Sequence, residues 1–256
     1  EFELSRVTST YIRSPSGVSE SGIVWFAQDG HRNFFQFVLP ADHPDNPIGA
    51  PVALRYRFHD VGPTTSEVTV DVSRLLVGAK GSRAGWDWES AFSHMRIDRD
   101  TEDKGQLYFP ALVNAIDTQA YRPFGNNSPQ TLASISPPIR ETGKTTNTSW
   151  DLKGSRELMH LEGGPLALVA GIEARKEELA VNPDMRVVNG DIIDIGSAQA
   201  QGNRRIGSIF AELSAPFAKR VETQLALRYD HYSDYGNSTT PQLGIKWKPI
   251  DSFALR

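Results

Sequence analysis

The chain has 256 residues, of which 39% are hydrophobic and 23% charged, with a formal net charge of −4. This balance lacks the basic patch that nucleic acid demands, and the absence of cysteine excludes disulfides, thiolate metal sites and thiol nucleophiles. The longest clean apolar runs are short, such as LALVAGI at 166–172, so no segment approaches the roughly 20 apolar residues of a membrane helix.

In chain order, the first residues set Phe2 and Leu4 against Glu1, Glu3 and Ser5, the two-residue period of a strand. Over 66–78, Val68, Val70 and Val72 alternate with Glu67, Thr69, Asp71 and Ser73. Over 86–97, Trp86, Trp88 and Phe92 oppose Asp87, Glu89 and Ser93. Over 149–159, Trp150, Leu152 and Leu158 oppose Asp151, Lys153 and Glu157; over 165–175, Leu166, Leu168, Ala170 and Ile172 oppose Glu173 and Arg175. In 209–217, Ile209, Ala211, Leu213, Ala215 and Phe217 share a face against Glu212 and Ser214, with Phe210 an exception. In 221–230, Val221, Thr223, Leu225, Leu227 and Tyr229 oppose Glu222, Gln224, Arg228 and Asp230. In 239–248, Leu243, Ile245 and Trp247 oppose Gln242, Lys246 and Lys248. Helical spacing would scatter these residues around a cylinder, and no sustained helix is expected. The result is about eight strands plus the start of a ninth in SFALR. Each is near the ~9–11 residues that a tilted strand needs to cross a bilayer.

The connections alternate in length. KGSRAG (80–85), EGGP (162–165), AKR (218–220) and PIDS (249–252) are short; the others span 15–65, 99–147, 179–204 and 233–238. Soluble domains rarely hold loops beyond about 12–15 residues. Short turns at one rim and long loops at the other mark outer-membrane barrels. Trp86, Phe217 and Trp247 sit beside short turns, and Tyr229, Tyr232 and Tyr235 beside the opposite rim, as two aromatic girdles would. The expected fold is therefore all-β, a partial antiparallel transmembrane β-barrel. Trp86, Phe217, Leu225, Leu227, Tyr229, Leu243, Ile245 and Trp247 are expected to face lipid or form the girdles. Glu212, Glu222, Arg228 and Lys246 are expected to face the lumen, because Glu, Lys and Arg are rarely buried without partners. A soluble antiparallel β-sheet binding module shares the alternation but has no reason to keep the loop asymmetry.

Several motifs are read against chemistry. PIRETGKTT (138–146) ends like a phosphate loop, but Pro138 stands where the first glycine belongs and neither strand nor helix flanks it. No G-x-S-x-G elbow occurs. The histidines at 31, 43, 59, 94, 160 and 231 are scattered rather than set at metal-ligand spacing. DRDTED (98–103) and DIID (191–194) are acidic clusters at expected loop positions, without the spacing of a calcium loop. No enzyme activity, cofactor or metal is expected. Aromatics in RNFFQF (32–37), YFPAL (108–112) and AYRPFG (120–125) lie in the long connections.

FAELSAPF, followed by VETQLALRYDHYSDYGNSTTPQLGIKWKPIDSFALR, resembles the mid-barrel region of TonB-dependent outer-membrane receptors. NPIGAPVALRYRFHDVG (46–62), RLLVGAKGSRAGWDWESAF (74–92) and AYRPFGNN (120–127) resemble successive loop and hairpin segments of one branch of that family. The likeness covers nearly the whole chain and rests on the order of the motifs. It implies a 22-stranded barrel around an N-terminal plug, a plugged lumen being usual at that size. Residues 1–256 would then all belong to the barrel, with the plug and C-terminal strands outside this chain, whose ends EFELSRV and SFALR read as cuts. It implies outer-membrane lipid, TonB acting through the plug region, and a scarce nutrient as partners. A ferric siderophore comes first, with cobalamin, haem or a glycan behind it. Phe35, His43, Tyr108, Tyr121, Arg122 and Phe124 in the external loops become the ligand-binding candidates. A passive porin-like barrel is the alternative; it would need neither plug nor TonB.

Overall fold

The computed structural model describes residues 1–196, 198–250 and 252–255. After β1 (Phe2–Arg13) come six short strands. They are β2 (Gly17–Val18), β3 (Ile23–Phe26), β4 (Arg32–Phe35), β5 (Val38–Leu39), β6 (Val52–Ala53) and β7 (Tyr56–Arg57). They pair as the small ribbons β2–β7, β3–β4 and β5–β6. Two long strands follow, β8 (Thr64–Arg83) and β9 (Trp86–Lys104), then helices α1 (Phe109–Asp117) and α2 (Pro129–Ile135). The rest is β10 (Ile139–Leu161), β11 (Gly164–Asn182), α3 (Met185–Val188), β12 (Ala200–Ala218), β13 (Val221–Tyr232), β14 (Gly236–Ile250) and β15 (Phe253–Leu255).

One antiparallel sheet of nine strands runs in the order β1-β8-β9-β10-β11-β12-β13-β14-β15, with β1 beside β8 across the six short strands and every later strand beside the next in the chain. β1 and β15 do not pair with each other, so the sheet is open, as a partial barrel requires. No helix among the described residues is long and apolar enough to cross a membrane.

The expected short turns are tighter than the sequence suggests. Ala84 and Gly85 alone join β8 to β9, with φ of 54° and 78°. Two successive left-handed residues suit the right-handed strand twist. Gly163 in the β10–β11 turn lies against the next hairpin: a Cβ there would stand 2.3 Å from the Ala218 carbonyl oxygen.

The strands are longer than one bilayer crossing. β10 has 23 residues and β8 has 20. At ~3.3 Å per residue and a ~45° tilt, 23 residues rise roughly 50 Å, well beyond a ~30 Å hydrocarbon layer. The loops expected at 99–147 and 179–204 therefore shrink to 105–138 and 183–199. DRDTED and most of PIRETGKTT lie on β9 and β10, not in loops.

Register sorts the side chains onto two faces. Cross-strand partners Phe92–Trp150, Leu152–Ile172, Ile172–Ile209, Ala211–Leu227, Leu213–Leu225 and Leu225–Leu243 share one face. Glu89–Lys153, Asp151–Glu173, Ser208–Asp230 and Glu222–Lys246 share the other. Trp150 keeps its indole N–H satisfied within the apolar face by donating to Ser90 Oγ at 3.0 Å.

Three expectations about facing change. Tyr232, expected in a girdle, lies in line along β13 with Glu222 and Arg228 on the charged face and stacks on Tyr235 at 4.2 Å. Val68, Val70 and Val72 lie on the charged face: Val72 pairs with Ile97, in line along β8 with Lys80 opposite Glu89. At that height the apolar face has already turned polar, with Arg6 bound to Asp71 at 2.5 Å and Arg96 to Asp98 at 2.6 Å. Leu158 falls in a bulge, so Met159 takes the place opposite Leu166. A second bulge between Ala215 and Ala218 carries the exposed Phe217.

Candidate functional site

The described residues of the connections 14–63, 105–138 and 183–199 fold into a cap with its own core. Val18, Trp25, Phe35, Phe37, Leu39, Phe58, Leu107, Leu112, Ala115, Ile116, Tyr121, Ile135 and Ile193 form one buried cluster. Aromatic edges and faces build its centre, with Tyr56–Phe58 centroids at 5.0 Å and Phe37–Tyr56 at 5.4 Å. α1 contributes Leu112, Ala115 and Ile116, the spacing of one helical stripe. α2 begins on Ser128, whose hydroxyl accepts from the Thr131 amide at 3.1 Å, with Pro129 at the first helical position. Trp25 ties the β3–β4 hairpin to the third connection by donating to the Gly190 carbonyl at 2.7 Å.

Residues 43–62, which include the first loop motif (46–62), meet the second (120–127) in a polar latch. Asn46 Nδ2 donates to the carbonyls of Pro40 at 2.7 Å and Ala50 at 2.9 Å, closing its own loop. His43 Nδ1 accepts from the Asp45 amide at 3.1 Å, which leaves Nε2 as the donor to the Tyr121 carbonyl, also at 3.1 Å. Arg122 grips Asp45 through Nε at 2.9 Å and through Nη2, and the Phe124 amide donates to the second oxygen at 3.1 Å. Tyr121 Oη donates to Asp60 at 2.9 Å; Asn127 Nδ2 donates to the other Asp60 oxygen at 2.7 Å. Arg122 holds the Asp45 carboxyl below the usual carboxylate range, and Arg186 does the same for Asp184. Burial pushes the phenols of Tyr56 and Tyr121 up, so both stay protonated donors.

This geometry shows where the six loop candidates lie. Phe35, His43 and Tyr121 are 5%, 2% and 0% exposed. In place of the ligand surface expected of them, they form the cap's core and latch. Tyr108 is half-buried against Ile139, Val187 and Ile192, with the Arg186 guanidinium 6.0 Å from its ring centre. Arg122 is committed to Asp45. Phe124 alone of the six is open to solvent, at 70% exposure. RNFFQF places Arg32 and Phe34 in a long connection, but their partners Val24 and Phe26 across the β3–β4 hairpin come only with the pairing. There Val24 pairs with Phe34 and Phe26 with Arg32, all solvent-exposed. The alternation in GIVWF and RNFF was the available signal.

Below the cap, the charged face carries a ladder of ion pairs. Arg204 meets Glu177 at 2.6 Å, Glu177 meets Arg175 at 3.3 Å, and Arg228 bridges Glu173 and Asp230, each at 2.9 Å. Ser208 donates to Asp230 at 2.5 Å. Further toward the short turns, Lys246 pairs with Glu222 at 2.9 Å and Gln224 donates to Glu212. Glu212, Glu222, Arg228 and Lys246 thus lie on one face. Leu225, Leu227, Tyr229, Leu243, Ile245 and Trp247 lie on the other, and Trp86 is in register with Arg83 at the short-turn end of that same face. Phe210, the exception to the alternation, lies on the charged face beneath Arg228, whose guanidinium is 5.9 Å from the ring centre. Gly171 makes room for it: a Cβ there would stand 2.5 Å from the Phe210 ring. Among the described residues no group of three or more His, Asp or Glu is arranged to hold a metal ion.

A one-sided apolar sheet, a charged opposite face, two-residue turns at one rim and a folded cap at the other define the wall of an outer-membrane β-barrel. The chain matches the family described as TonB dependent receptor-like, beta-barrel, over residues 24–256, and it belongs to that family. It is thus part of an outer-membrane receptor or transporter. A search of curated proteins finds no match.

Proposed function

We propose that the chain supplies wall and external loops to a receptor that takes up a ferric siderophore with energy delivered through TonB. In this reading the apolar face touches lipid and the charged face lines the path, with the cap toward the cell exterior. The observation that supports it is a cap with its own core, presenting aromatic and cationic side chains above a face that carries ion pairs. Phe26 opposite Arg32, with Val24 opposite Phe34 on the same exposed hairpin face and Phe124 exposed elsewhere on the cap, offers ring faces and positive charge to an anionic, often aromatic, metal chelate. The latch and core hold these groups in place, so capture costs little loop ordering. The ladder on the charged face then gives a polar ligand water and compensated charge along its way, while TonB acts on a plug held inside the barrel.

The test is uptake of radiolabelled ferric siderophores by cells carrying the full-length receptor as their only candidate route, with and without TonB. Uptake that requires TonB and falls on F26A/R32A supports the reading. Uptake that persists without TonB identifies a passive pore. Capture of cobalamin, haem or a glycan, with every ferric siderophore ignored, overturns the ligand class.

A further inference from the structure

We infer that the seam between wall and cap holds a site for a small organic polycarboxylate, which bridges the two when bound. The site is a cavity of about 680 Å³ where β1 leaves the sheet and the chain enters the cap. Arg13, the last residue of β1, brings one guanidinium from the wall. Arg57 of β7 brings a second from the cap. The third connection closes the cavity with Ile193, Asp194 and Ile195.

The bonds that join wall to cap leave most of this positive charge unused. Ser16 Oγ donates to the Gly105 carbonyl at 2.9 Å, and Thr64 Oγ1 to the Ser14 carbonyl at 3.3 Å. Arg57 Nη1 donates to the Pro15 carbonyl at 3.2 Å, which occupies one of the five donors of its fork. Elsewhere in the cap, Arg122 and Arg186 are each locked to a carboxylate. Among the described residues neither Arg13 nor Arg57 makes an ion pair, with Asp194 or with any other carboxylate. Two cations against one carboxylate leave the cavity with an excess of positive charge.

The shape of that charge selects the ligand. A guanidinium fork matches a carboxylate with two parallel bonds. Here two forks reach one cavity from different elements, so a ligand that satisfies both carries two carboxylates on one small frame. Ile12, Ile23 and Leu107 give its carbon frame an apolar wall, and Ser14 and Gln106 add uncharged hydrogen-bonding groups. Once bound, the ligand adds a second tie between wall and cap beside the Ser16 and Thr64 bonds. The site lies apart from the hairpin face offered to the chelate, since Ile23 packs inward where Val24 is exposed. It goes beyond the uptake reading and does not depend on which chelate is imported.

The experiment is calorimetric titration of the full-length receptor in mild detergent with tricarballylate, acetate and inorganic phosphate, at low salt to limit screening. Tricarballylate is expected to bind at least roughly tenfold more tightly than either of the others, because it alone reaches both guanidinium groups. R13Q and R57Q are each expected to weaken it by roughly tenfold or more, the size of one lost charge-assisted pair. D194N, which removes the competing negative charge, is expected to tighten it. R83Q, at the short-turn rim, is expected to leave it unchanged. Tricarballylate is also expected to slow amide exchange in residues 14–17 of the wild type and not of R13Q/R57Q. No binding of tricarballylate to the wild type overturns the site, as does binding that R13Q and R57Q leave unchanged. Equal affinity for acetate or phosphate overturns the ligand class.

Discussion

Replacing Leu227 by arginine tests the facing of the sheet directly. Leu227 lies six residues from Val221 and five from Tyr232, the ends of the 12-residue β13. At ~3.4 Å per residue and ~45° tilt, it sits roughly 12 Å below the nearer interface, near mid-depth. Its in-register neighbours are Ala211 and Pro241, neither of which can accept a hydrogen bond from a guanidinium side chain through a side-chain group. The expected cost is about 2–4 kcal/mol, roughly 30- to 1000-fold in the folding equilibrium. The adjacent Ala226→Arg is the control. Ala226 stands opposite Glu212 and Gln242 on the charged face, so the new cation gains a carboxylate neighbour and should cost less than about 1 kcal/mol. Both are measured by reversible urea unfolding of the full-length receptor in lipid vesicles. Equal costs, or a larger cost at 226, would show that the two faces are assigned the wrong way round.

Two further expectations concern the rims and the cap. An epitope inserted between Gly125 and Asn126 should be detected on intact cells, and one in the Ala84–Gly85 turn only after the outer membrane is broken; the reverse pattern would invert the topology. Asp45 and Asp184 have depressed carboxyl pKa values, so their contribution to cap stability is full above the unfolded value near ~4 and is lost as pH falls through the folded values. Amide exchange in 119–127, corrected for intrinsic rates, should therefore quicken between neutral pH and about pH 3, with D45N showing fast exchange at both. Protection that is unchanged on acidification and in D45N would remove the latch from the cap's stability.

The latch also bears on what the loop motifs are for. NPIGAPVALRYRFHDVG and AYRPFGNN lie far apart in sequence, yet Asp60 of the first is shared by Tyr121 and Asn127 of the second, and Asp45, one residue before the first, by Arg122 and the Phe124 amide. These polar side chains pair with one another across the two connections. Because a buried donor or acceptor left alone costs about 1–3 kcal/mol, each motif depends on the other being present. What the second motif presents outward is Phe124.

Strand periodicity was legible from the sequence because it is local. The side-chain period of two puts Leu225, Leu227, Leu243 and Ile245 on one face and Glu222, Arg228 and Lys246 on the other, whatever lies beyond the sheet. The open nine-stranded order and the short-turn rim followed from the same alternation and from turn length. Strand length was not legible. Above the apolar belt the wall meets polar surroundings, so residues 98–103 and 139–146 lose the apolar–polar contrast while keeping their ladder hydrogen bonds. The facing of Val68, Val70 and Val72 was hidden for the same reason: the polar side changes faces part-way along β8, and only pairing with β9 reveals it. The roles of Phe35, His43 and Tyr121 were decided by tertiary structure alone. Their partners lie on other connections, as far away as Tyr121 is from His43 in sequence, and no local pattern records which loops will close over which. Alternation is a property of one strand and its two environments; a core built from three connections exists only once the sheet has brought them together.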